Sequence, residues 1–113
     1  MTARLTSQML VSALLRRTQA AGGMATILHK GESISGTIVV QLLERGANRG
    51  FFERLTNLSG TLELVPCGPQ ETDQQSEIMA YISRRVDVDP DIWLVELDIA
   101  SGHHLAAQVL CQS

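Results

Sequence analysis

The sequence predicts an α+β fold: a single domain over residues 1–113 in the order α-β-β-β-β-α-β, its largely antiparallel sheet packed against two helices. Three observations predict it. Two segments repeat apolar residues at helical spacing, and several shorter ones do so at strand spacing. Two of the strand segments are apolar on both faces, as interior strands are. Breaks built from glycine, asparagine and proline separate them.

The first helix is expected at about residues 6–21, with Thr6 or Ser7 as N-cap and Gly22-Gly23 as the stop. Its polar stripe is narrow: Gln8, Ser12, Arg16 and Gln19. Met9, Leu10, Val11, Ala13, Leu14 and Leu15 fill most of the remaining circumference. A helix resting on one sheet needs an apolar stripe of only about 100°, so something besides its own sheet should cover this one.

Two strands follow, at about 24–30 and 36–44, around a turn containing Gly31. In the second, Ile38, Val40 and Leu42 form one apolar face and Val39 and Leu43 the other, which predicts an interior strand. "RGANRG" reads as a turn, "FFERLT" as the third strand and "TLELV" as the fourth. In the fourth, Leu62 and Leu64 alternate with Thr61 and Glu63, as in a half-solvated strand near an edge. "PCGP" breaks the chain. Thr72 to Gln75 then fits a capping box that opens a helix to about Val86. Its apolar stripe is Ile78, Met79, Ile82 and Val86, with Tyr81 alongside. Pro90 ends the helical possibility and "DIWLVELDI" is the last strand. The tail "HHLAAQVL" suits a short edge strand or a helical turn.

Composition bounds the function. With 44% hydrophobic and 19% charged residues, the chain belongs with ordinary globular proteins. A net charge of −3 argues against a dedicated nucleic-acid binder. The basic residues are nevertheless eight arginines and Lys30 alone, and arginine forks phosphates and carboxylates bidentately, which leaves room for a local patch. Cys67 and Cys111 have no metal-ligand spacing and read as free thiols in a reducing cytoplasm. "MLVSALL" runs into Arg16 and Arg17 without a cleavage pattern, and no run approaches membrane-spanning length. The expected setting is cytoplasmic, with no membrane contact. Gly22-Gly23 follow a helix, whereas phosphates bind at helix N-termini, and no phosphate-loop or dinucleotide motif occurs elsewhere. No cofactor is expected.

The aspartates of "VDVDPDIWLVELD" invite comparison with a calcium loop. The glycine needed at the sixth position is Ile92, and Asp98 stands at the twelfth in place of a bidentate glutamate. The plainer reading is that Asp87 and Asp89 solvate a helix end while Asp89-Pro90 forces extended backbone. No metal is expected there, and Asp91 belongs to the same punctuation. Glu96 and Asp98 share a strand face, and His103 and His104 follow shortly after. These four are the candidates for a metal or acid–base site. Adjacent histidines on an extended segment point to opposite faces, which counts against it. Cys67 has no histidine near it in sequence to make it a nucleophile. Small nucleases and acyl-coenzyme A transferases share a similar element order, but their E-x-K lysine and glycine-rich pyrophosphate loop are missing.

"ERGANRGFFER" is the best surface candidate: Arg45, Arg49 and Arg54 surround Phe51 and Phe52, mixing cations with aromatics as RNA-binding surfaces do. The competing reading is a hairpin turn with solvated arginines and at least one phenylalanine in the core.

"VSALLRRTQAAGGMATILHKGESISGTIVV" and "DPDIWLVELD", with "RGFFER" between them, carry a resemblance that covers nearly the whole chain. They resemble a family of small bacterial proteins known as domain of unknown function number fourteen ninety-one. The resemblance implies a single α+β domain in a bacterial cytosol and brings no activity, cofactor or catalytic residue.

The leading expectation is therefore a non-catalytic binding or assembly domain with an unknown protein partner. An enzyme using Glu96, Asp98 and His103/His104 is the competing one, and arginine-mediated RNA or anion binding through residues 45–54 the third. A homodimer is also expected. If both helices lie on one sheet face, the other exposes Val39 or Leu43, and a two-fold pairing would cover that patch.

Overall fold

A computed structural model describes residues 5–112 of the chain. Helix α1 spans Ser7–Ala20 and opens where the Thr6 hydroxyl accepts a hydrogen bond from the Met9 N–H at 3.1 Å, which satisfies one of the free donors of the first turn. The N–H groups of Ser7 and Gln8 donate to the carbonyls of Ile34 and Ser33, so the loop before the next strand closes over the helix start. At the other end Gly22 takes φ 90°, in the left-handed region, and the chain reverses.

The strands are β1 (Met24–His29), β2 (Ile38–Glu44), β3 (Ala47–Thr56), β4 (Leu62–Cys67) and β5 (Trp93–Asp98). They form one sheet in the order β1-β5-β2-β3-β4. β2, β3 and β4 make an antiparallel meander, while β5 enters between β1 and β2, antiparallel to the first and parallel to the second. The interior position expected for β2 is found, with Val39 and Val40 both 0% exposed, and β4 lies at an edge as expected.

Helix α2 spans Gln75–Val88 and links β4 to β5. The capping box expected at its start does not form: the N-cap is Gln74, without a side-chain bond, and the Thr72 hydroxyl accepts from the Gln74 N–H instead. The tail is a third helix, α3 (Gly102–Leu110), so three helices pack on the sheet rather than two.

The helices divide between the faces. α1 and α3 lie together on one, where Leu10, Leu14, Ala106 and Leu110 meet Ile38, Val40, Trp93, Val95 and Leu97. α2 covers the other with Ile78 and Tyr81 against Val39, Phe51, Ile92 and Leu94. Residues apolar on both sides of β2 and β5 thus each find a helix. The excess apolar surface of α1 is explained by α3 beside it. The bare sheet face on which the expected dimer rested does not exist, because Val39 is buried under α2 and Leu43 is half-buried.

The turn between β2 and β3 is shorter than expected. Arg45 and Gly46 alone make it, both at positive φ (53° and 82°), as a two-residue hairpin turn of the kind that matches strand twist. "ANRG" belongs to β3. The register passes from Leu42↔Gly50 to Leu43↔Asn48, so Arg49 is an extra residue bulged out of the ladder.

Candidate functional site

The two carboxylates and two histidines do not come together. Glu96 and Asp98 share the strand face of Leu94, on the side of the sheet that carries α2, whereas His103 and His104 stand exposed on α3 against the opposite face. Among the described residues no group of three His, Cys, Asp or Glu could hold a metal ion. The imidazole of His103 packs edge-on to Phe52, with ring centroids 5.0 Å apart. Asp98 is engaged elsewhere: its carboxylate accepts hydrogen bonds from the backbone N–H groups of Arg45 (3.0 Å) and Gly46 (2.9 Å). Burial, and secondarily the neighbouring Asp98, push the Glu96 carboxyl above the usual range. Glu96 lies half-buried between Thr26 of β1 and Gln41 of β2, and the carboxylate beside it, that of Asp98, is held by the hairpin turn.

The arginine hairpin is dismantled in a similar way. Phe51 is fully buried and packs edge-on against Tyr81 at 4.9 Å, so it offers no stacking surface. The Arg54 Nε donates to the Leu110 carbonyl at 2.6 Å and caps the end of α3. Arg45 and Arg49 remain exposed and line an open cavity of about 520 Å³ with Gly22, Gly23, Glu44 and Asp98.

Cys67 belongs to a polar chain under α2. Arg85 bridges Glu53 at 2.9 Å and donates to the Tyr81 hydroxyl at 2.6 Å, and that hydroxyl in turn meets the Cys67 thiol. Burial raises the Cys67 thiol and lifts the Tyr81 phenol to about 12, the reverse of nucleophile activation. Asp89 caps the end of α2, its carboxylate accepting from the Asp91 N–H at 3.1 Å, while Asp87, expected beside it at the helix end, lies within the last turn. A buried polar knot around Asn48 went unnoticed in the sequence. The Asn48 amide donates to the carbonyls of Gln70 and Thr72 and accepts from Gln41, which staples the 68–74 loop to the sheet.

What sequence reasoning also missed is the free edge of β1. This strand is hydrogen-bonded to β5 alone, and Met24 is 72% exposed, Ile27 41% and Leu28 37%. The sequence Met-Ala-Thr-Ile-Leu-His carries neither proline nor a carboxylate, lysine or arginine. The other edge, β4, carries Glu63 and Pro66, both of which discourage strand addition. Lack of alternation between polar and apolar residues in 24–28 is the signal that could have found it. The edge at β4 was readable from its one-sided alternation, whereas that at β1 depends on β5 entering between β1 and β2.

Comparison with known proteins agrees with this fold. A crystal structure of a DUF1491 family protein from Caulobacter crescentus CB15 superposes with a TM-score of 0.78 at 29% identity, covering 90% of this chain and 94% of that one. The NMR structure of a DUF1491 family protein from the same organism gives 0.77 at 29% identity, over 92% and 94%. A solution structure of a protein from A. tumefaciens gives 0.69 at 29%, over 98% of both chains. A search of curated proteins finds no match. No helix among the described residues is long and apolar enough to cross a membrane. The family model described as "Protein of unknown function (DUF1491)" matches residues 5–107, and the chain belongs to that family.

Proposed function

We propose that this chain is a non-catalytic binding or assembly domain whose contact surface is the free edge at β1. One observation carries the reading: an edge strand with three exposed apolar side chains and no charge to defend it. The unpaired thiols of Cys67 and Cys111 suit a reducing bacterial cytosol, which belongs to the same proposal. The test compares proteins co-purifying from native cells with the wild-type chain and with Thr26→Lys, whose site is exposed. Loss of a specific companion from the variant supports the reading, and identical companions reject it.

A second reading is favoured by Arg45 and Arg49 around their cavity, neither of them in an ion pair among the described residues: a small oxyanion would fit their planar forks. Chemical-shift titration with inorganic phosphate, repeated on Arg45→Ala/Arg49→Ala, tests it. Shifts confined to the cavity and lost in the double variant support anion binding; equal responses in both proteins reject it.

A further inference from the structure

We infer that the occupant of the β1 edge is a second copy of this chain, added antiparallel about a two-fold axis through Thr26; the inference rests on the edge reading above. Parity selects the register. In a two-fold pair normal to the sheet, facing residues must lie on the same side of it, so the axis has to pass a residue facing its own copy. Centring on Thr26 sets Met24 against Leu28 of the second copy and Ala25 against Ile27 of the second copy. These pairs join the three exposed apolar side chains of the strand to one another or to the small Ala25. Each pair occurs twice by symmetry, which removes all three from water in both copies. The bulge falls at Leu28, between Ile27 and His29, so the regular ladder ends there and Leu28 is the last residue of β1 to meet the second copy.

Charge agrees with this register. Just past the paired segment, Lys30 of one copy comes near the stretch of the other around Gly22, where α1 ends. The C-terminal end of a helix is its negative pole, and Arg17 of that last turn is drawn to Gln108 at 3.2 Å, so an exposed lysine is attracted there. β4 offers no such complement, since Glu63 and Pro66 of one copy would meet a second acidic, proline-bearing edge. The product is a ten-stranded sheet running through both copies, with α1 of each near the seam.

Three proteins test the inference. Wild type, 12.3 kDa as a monomer, should approach twice that mass by light scattering as concentration rises. Thr26→Lys places two ammonium groups at the axis and should stay monomeric, with the melting temperature that wild type shows at concentrations where it too is monomeric. Thr26→Cys should form an interchain disulfide under mild oxidation far faster than Glu63→Cys on the other edge. Facing strand residues lie about 4.5–5.5 Å apart, within the roughly 4.4–6.8 Å that a disulfide spans. A wild type that stays at 12.3 kDa throughout overturns the dimer, as does a dimer that Thr26→Lys leaves intact or equal cross-linking at the two edges. Should wild type be monomeric while Thr26→Lys still loses a cellular companion, the edge reading survives and only the second copy falls.

Discussion

The carboxylate of Asp98, at the end of β5, holds the backbone N–H of Arg45 at 3.0 Å, and that of Gly46 beside it, across the neighbouring strand. The two bonds fix a turn in which a bulky arginine adopts φ 53°. A strand end that reads in the sequence as half of a metal site is thus a clamp on a hairpin.

Removing the clamp should destabilise the fold. Asp98→Ala leaves two turn N–H groups without their charged acceptor and should cost about 1.5–3 kcal/mol. Arg45→Asn should act oppositely, by up to about 1 kcal/mol, because asparagine tolerates the left-handed region better. Urea unfolding followed by the fluorescence of Trp93 measures both.

Glu96 sets a pH dependence. Its folded carboxyl titrates above its unfolded one, so the stability linked to this group is fully present below the unfolded pKa and is lost as pH rises through the folded pKa. Glu96→Gln should therefore equal wild type in acid and exceed it near neutrality. Melting temperatures of the pair across the acid-to-neutral range give the difference. A variant less stable than wild type at neutral pH would show that the carboxylate is stabilised there by a contact.

Gly31 is required by space. A Cβ there would run into the Asp91 carbonyl and the Trp93 ring, and the Trp93 indole already donates to the Glu32 carbonyl at 2.8 Å. Gly31→Ala should cost more than about 2 kcal/mol and disturb the indole. Near-ultraviolet circular dichroism would report the change.

Phe51 anchors the α2 face. Phe51→Ala should cost about 3–5 kcal/mol through the cavity it leaves. Thermal unfolding measures the loss, and RNA titration at low salt should be the same for both proteins, since the ring is not at the surface.

The native thiols should be slow to react. Burial raises both Cys67 and Cys111, so a disulfide reagent should label the folded protein far more slowly than the unfolded one. Labelling time courses with and without denaturant decide it.

The sequence by itself determined the local elements, because their causes are local. Thr6 and the glycines bound α1, the doubled apolar faces of Val39 and Val40 demand cover on two sides, and alternation around Glu63 leaves β4 half-wet. Only the tertiary structure decided how those pieces share the sheet. Threading β5 between β1 and β2 put the histidines and carboxylates on opposite faces, sent α2 to the side expected to lie bare, and left β1 at an edge. Strand order follows from which long-range pairings bury the most apolar surface together, and residue spacing along the chain carries no record of that competition.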